Sequence, residues 1–102
     1  MTTRPRKKIP AALRTAILAR DGKRCVYCGV KASKKVALTL DHVIPHSHGG
    51  PDTALNLVSA CGECNNRRST MPIDLYAEWL RRLGFPGAAE RVLHAISLPL
   101  PE

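Results

Sequence analysis

Aromatic side chains are scarce in this sequence: one Trp, two Tyr and one Phe among 102 residues. Aromatics contribute the most buried area per residue, and a chain this short buries only about two-thirds of the surface its unfolded form exposes. The scarcity therefore excludes a single domain held by apolar burial alone and calls for a staple. It also leaves only Tyr27 and Tyr76 as candidates for the base-stacking sheet of an RNA-binding module. No apolar run approaches the ~20 residues that span a bilayer, and the N-terminus lacks the apolar stretch of a signal peptide. A soluble, cytoplasmic protein with no membrane partner is the expectation. Acids are nearly missing from residues 1–35, where eleven Lys and Arg face Asp21 alone. That segment carries +10 and the remainder −2, within a total of +8. Such a surface suits a polyanion, because Lys and Arg release condensed counterions from a phosphate backbone; a merely solvated basic face is the alternative.

Four cysteines are present as two C-x2-C pairs, Cys25/Cys28 and Cys61/Cys64. In a reducing cytosol such pairs read as metal ligands before disulfides, and four thiolates make a closed tetrahedral zinc site. A closed site has no open position for substrate, so this Zn²⁺ is structural. Its binding free energy, on the order of 10 kcal/mol in small zinc modules, would supply what the thin core lacks.

Between and around the staples the pattern is α+β. Residues 1–9 form a basic arm. Pro10 opens a helix to about Arg20 with Leu13, Ala16 and Ile17 on one face, stopped by Asp21-Gly22. Val36 to Leu40 reads as a strand ending at Asp41-His42. Pro45, Gly49, Gly50, Pro51 and Asp52 mark residues 43–55 as an ordered loop. Leu57 to Ala60 reads as a second strand, followed by a helix from Cys61 to about Ser69. The core thus spans 10–73. A helical extension over 74–98 is expected to pack on it, its first helix N-capped by Asp74 and burying Leu75, Trp79, Leu80 and Leu83. The second, about 87–97, would bury Val92, Leu93 and Ile96. Residues 99–102 form a tail.

Inside the clamp stand Asp41-His42, Asn56 and Asn65. A strand ending in Asp-His and facing a helix that presents an amide can hold a hard cation between two oxygens and leave the imidazole unligated. An ordinary imidazole, with a pKa of about 6.5, can take a proton from water near neutrality. Phosphodiester hydrolysis needs those parts, a base for the nucleophile and a cation for the developing charge.

The run Arg20-Asp21-Gly22-x-x-Cys25-x-Tyr27-Cys28-Gly29, then Leu38-Thr39-Leu40-Asp41-His42-Val43-Ile44-Pro45-x-Ser47-x-Gly49-Gly50, Asn56-Leu57-Val58 and Cys61-x-x-Cys64-Asn65 resembles the HNH endonuclease family over residues 20–70. The resemblance implies a small ββα-metal core, here stapled by the four cysteines and flanked by helices. It implies His42 as general base, Asp41 as metal ligand and Asn56 as the brace between loop and strand. The position where a second histidine usually ligates the catalytic metal is Asn65, an H-N-N variant. An amide oxygen is harder than imidazole, so Mg²⁺ or Mn²⁺ is expected over Zn²⁺ or Ni²⁺.

On this reading the chain cuts DNA phosphodiesters. Arg67, Arg68, Lys7 and Lys8 are candidate phosphate contacts, with His46 and His48 in contact with phosphate or solvent. A non-catalytic zinc-stapled DNA-binding module and an RNA-directed nuclease stay open beside it. So do a homodimer or a larger nuclease assembly, since a double-strand break needs two active sites or two visits. Small stand-alone members resembling this chain occur in phage and mobile elements, so the cytoplasm in question could be a host's.

Overall fold

Pro10, at φ −55°, leads into α1 (Ala11–Arg20) in a computed structural model that describes residues 9–101. Ile17 is fully buried on α1, while Leu13 and Ala16 are only half-buried. Asp21 and Gly22, the latter at φ +71°, end the helix as expected. Arg20 then fastens α1 to the strands behind it. Its guanidinium pairs with Asp21 at 2.7 Å and donates to the carbonyls of Ala54 and Leu57, while Asp21 accepts from the Ser59 N–H.

Strand β1 (Leu38–His42) pairs antiparallel with β2 (Leu57–Cys61), with Leu38 opposite Cys61, Asp41 opposite Val58 and His42 opposite Leu57. The strand expected from Val36 begins two residues later, because Ser33 Oγ accepts from the Val36 N–H and holds that segment in a turn. In compensation, Asp41 and His42 lie within β1. Every residue of β2 is buried. α1 packs on it, as does α4 (Ala88–Ser97), and α2 (Gly62–Arg68) touches both strands.

The loop after β1 contains one 3₁₀ turn at His46–His48, and α2 (Gly62–Arg68) follows β2 directly. α3 (Ile73–Arg82) and α4 (Ala88–Ser97) then close over the cluster formed by Tyr27, Val58 and Ala60. Tyr76 meets Tyr27 edge to face, ring centroids 5.4 Å apart, an arrangement favoured by the ring quadrupoles.

Three expectations for the extension are corrected. Asp74 is not the N-cap of α3: Pro72 is, because its fixed φ and missing N–H suit the helix entry, and Asp74 sits in the first turn. The buried stripe of α3 runs through Tyr76 and Leu80, so Leu75, Trp79 and Leu83 are 58%, 40% and 53% exposed. On α4, Val92 is buried with Ala88 and Ala95, Ile96 only packs at the edge, and Leu93 faces outward. No helix among the described residues is long and apolar enough to cross a membrane.

Candidate active site and metal centre

The two C-x2-C pairs converge. Cys25 and Cys28 sit on a tight turn closed by the Gly29 N–H donating to the Cys25 carbonyl, with Gly29 at φ +83°. Cys61 ends β2 and accepts from the Cys64 N–H, so one strand-to-helix junction presents the other two thiols. The four Sγ atoms all lie within 4.8 Å of one another, and Cys28 and Cys61 are 3.9 Å apart. Tetrahedral Zn–S bonds of about 2.3 Å place sulfurs about 3.8 Å apart, whereas a disulfide needs about 2.05 Å. The cluster suits a metal such as zinc, with no ligand position left for substrate.

Crowding distributes protons unevenly among these thiols. A hydrogen bond from Cys64, opposed by burial, brings Cys25 down to about 5. Burial pushes Cys28 up to about 11, and donation to Cys25 pushes Cys64 up as well.

Beside α2, an open cleft of about 720 Å³ is lined by Asp41, His42, His46, Asp52 and Asn65, with Arg14 at its rim. Asp41 is 6% exposed. Its Oδ2 accepts from the Tyr27 hydroxyl at 2.5 Å and from Arg68 Nη1 at 2.8 Å. Among the described residues its Oδ1 accepts nothing. Burial, and then the Asp41 charge, push the Tyr27 hydroxyl well above the usual range and keep it a donor. Asn65 Nδ2 donates to Thr39 Oγ1 at 2.9 Å and to the Leu40 carbonyl at 3.4 Å. Its Oδ1 likewise has no partner among the described residues. Asp41 and Asn65 thus each present a hard oxygen on the wall of one cleft, a donor set that fits Mg²⁺ or Mn²⁺.

His42 Nε2 lies 2.6 Å from Asp52 Oδ1, and its ring meets His46 edge to face with centroids 5.7 Å apart. Asn56 holds the loop that carries Asp52. Its Oδ1 accepts from the Ile44 N–H, and its Nδ2 donates to the carbonyls of Ile44 and Pro51. Gly50 makes this packing possible: a Cβ there would stand 1.7 Å from the Ile44 carbonyl oxygen.

The cleft therefore gathers Asp41, His42, Asn65 and His46, with Asn56 bracing it from behind. The expected phosphate contacts fare differently. Arg68 is 1% exposed and directed inward, donating to Asp41 and to the carbonyls of His42, Val43 and Met71. It is corrected from a phosphate contact to a structural cation. Arg67 pairs with Glu63 and lies over Trp79, 5.6 Å from the ring centroid, away from the cleft. His48 is exposed and does not line the cleft. Lys7 and Lys8 lie outside the described residues. Asp52 and Arg14 went unread in the sequence, Asp52 as one of several turn formers and Arg14 as one charge among eleven. Arg14 stands at the rim, with Nη2 donating to the Leu38 carbonyl at 3.0 Å.

Comparison with known proteins agrees with this fold. The CRISPR-associated endonuclease Cas9 of Actinomyces naeslundii is 32% identical over 75 residues, 72% of this chain and 6% of the relative. That of Corynebacterium diphtheriae is 29% identical over 84 residues, 76% of this chain and 7% of the relative. The crystal structure of the Type II-C Cas9 enzyme from Actinomyces naeslundii superposes with a TM-score of 0.62 at 25% identity, covering 88% of this chain and 9% of that one. This chain spans less than a tenth of each. The family model for HNH endonuclease matches residues 25–70, the segment that holds both cysteine pairs and the cleft residues from Asp41 to Thr70, and that segment of the chain is an HNH endonuclease domain.

Proposed function

We propose that this protein is a metal-dependent endonuclease that hydrolyses DNA phosphodiester bonds, with His42 as general base and one divalent cation, Mg²⁺ or Mn²⁺, held by Asp41 and Asn65. The observation that carries the reading is the coincidence in one cleft of three atoms without protein partners among the described residues: Asp41 Oδ1, Asn65 Oδ1 and His42 Nδ1. When bound, the cation supplies electrostatic stabilisation of charge developing on the phosphate and leaving oxygen. His42 takes the proton of the attacking water on Nδ1. Arg68 and Tyr27 grip Asp41 by its Oδ2 and so direct the other oxygen outward. Arg14 at the rim supplies positive charge toward the substrate backbone, and the Zn²⁺ staple fixes α2, which carries Asn65.

A supercoiled-plasmid cleavage assay in Mg²⁺, Mn²⁺, Ni²⁺ and EDTA tests this, comparing wild type with His42→Ala. Metal-dependent cutting by wild type alone is expected. Cutting by the alanine variant would move the base elsewhere. DNA binding by both without cutting would leave a zinc-stapled binding module, a reading with one observation in its favour, the prior commitment of Asp41 Oδ2 to Arg68.

A further inference from the structure

Asp52 is the only side chain among the described residues within hydrogen-bond distance of the His42 ring, and it is held there by a chain of contacts that begins at Asn56. We propose that Asp52 is the positioning residue for His42, fixing its tautomer, and that Asn56 acts on the base through Asp52. The proposal rests on the reading of His42 as the base.

A carboxylate only accepts hydrogen bonds. At 2.6 Å from Nε2 it requires a proton on that nitrogen, because the other tautomer would set a ring lone pair against a carboxylate oxygen. With the proton on Nε2, the lone pair falls on Nδ1, the nitrogen that makes no hydrogen bond within the described protein. The carboxylate also limits rotation of the ring about its side-chain torsions. Once Nδ1 has accepted the proton of water, the imidazolium stays paired with Asp52, the logic by which a carboxylate serves a catalytic histidine in hydrolytic triads.

What holds Asp52 is equally specific. Asn56 Nδ2 donates to the carbonyl of Pro51, the residue immediately before it, at 3.0 Å. The same side chain clips Ile44 through both its N–H and its carbonyl, two residues beyond His42. Gly50 lies against Ile44 so closely that no side chain fits. The loop is thus pinned on both sides of Asp52's approach to the ring. Asp52 and His42 border the open cleft, with side chains 29% and 17% exposed, so their pairing contributes little to core packing.

The test uses the zinc-loaded full chain with ¹⁵N-labelled histidine, read on the alkaline side where the ¹⁵N shifts themselves show the His42 ring neutral, together with steady-state cleavage kinetics. The wild-type His42 ring is expected to show the Nε2–H signature. Asp52→Ala should turn it into a tautomer mixture and lower kcat by roughly 10- to 100-fold, as when the orienting partner of a functional histidine is removed, with KM little changed. Asp52→Asn, whose amide can turn its NH₂ toward Nε2 and so hold the Nδ1–H tautomer, should lose the signature and leave kcat low, whereas Asp52→Glu, which keeps a carboxylate, should restore part of both. Asn56→Ala should add little to Asp52→Ala when the two are combined. An Nδ1–H ring in wild type, or ring signals and kcat unmoved by Asp52→Ala with zinc content intact, would overturn the proposal. Additive losses in the double variant would overturn Asn56's route through Asp52. A wild type that shows the Nε2–H ring and binds DNA but never cleaves it refutes the nuclease reading, and with it any catalytic purpose for the pair.

Discussion

Arg68 Nη1 lies 2.8 Å from Asp41 Oδ2, and both side chains are almost out of solvent. The same guanidinium donates to the carbonyls of His42, Val43 and Met71, so the last turn of α2 is stitched to the end of β1 and to the chain beyond. Desolvating two charges offsets most of their attraction, which makes such a pair a poor source of net stability and a severe loss when one partner goes. Its use here is geometric. With Oδ2 committed to Arg68 and Tyr27, Asp41 has one oxygen to offer the cleft.

Arg68→Ala is therefore expected to destabilise the zinc-loaded domain by roughly 3–5 kcal/mol, because it strands Asp41 as a buried charge. Tyr27→Phe removes one hydrogen bond to that carboxylate and should cost about 1.5–3 kcal/mol. Urea unfolding of the two variants measures both. An Arg68→Ala change as mild as a surface substitution would show that Asp41 reaches water and that the pair does not set its orientation.

Two neighbouring glycines separate backbone strain from steric exclusion. Gly49 sits at φ +85° with open space around it, so Gly49→Ala should cost only the 1–2 kcal/mol or so of a left-handed alanine. At Gly50 a Cβ would overlap the Ile44 carbonyl and crowd Asn56 Nδ2 at 2.8 Å, both fixed by the loop brace. Gly50→Ala should lower stability by more than Gly49→Ala and also depress cleavage, since the displaced segment carries Asp52 to His42. Thermal melts and plasmid nicking of the pair distinguish the two cases, and equal behaviour would count against the brace.

The outcome at each residue follows how local its signal is. Both cysteine pairs were legible because C-x2-C spacing is itself the geometry of a chelating turn. That Asp41, His42 and Asn65 line one cleft was legible because the end of β1 packs against the helix that follows its antiparallel partner β2. Arg68 was misread because Arg67 and Arg68 look identical in sequence, and only the phase of α2 against β1 decides which is buried. On α3 the large side chains at 75, 79 and 83 make one i, i+4, i+8 stripe, while Tyr76 and Leu80 make another with less apolar bulk. Tyr27 selects the second by offering an edge-to-face partner, a contact across 49 positions that no window of sequence contains. Asp52 escaped notice because its partner is ten residues away across a loop whose shape depends on Asn56.

Asn65 is the point where ligand type and metal choice meet. An amide oxygen favours hard cations that keep their waters, whereas imidazole follows the order that places nickel and copper above magnesium. Asn65→His should therefore raise Ni²⁺-supported cleavage relative to Mg²⁺-supported cleavage. The ratio of the two rates for variant and wild type is the readout. A wild type that already works well with nickel and poorly with magnesium would sink the argument from ligand hardness.

The zinc staple makes stability depend on pH in a direction the thiols dictate. Zinc requires thiolates, so binding expels whatever protons the metal-free cluster holds. Cys25, held down to about 5 by the hydrogen bond from Cys64, has already lost its proton at pH 7. Cys28, pushed up to about 11 by burial, and Cys64, pushed up by its donation to Cys25, still carry theirs. In the metal-free fold the depressed Cys25 favours folding fully above its ordinary value of 9.0, and that contribution is lost as pH falls toward about 5. The raised Cys28 and Cys64 work oppositely, favouring the fold below 9.0 and ceasing to as pH rises through their folded values. With zinc present, competition by protons dominates. Calorimetric titration at pH 7 in buffers of different ionisation enthalpy should find fewer than four protons released per zinc. Zinc affinity, and with it the melting temperature, should fall as pH drops, more steeply below about 5, where Cys25 must also be deprotonated. Release of all four protons at pH 7 would show that Cys25 is an ordinary thiol and that the hydrogen bond from Cys64 does not hold its charge.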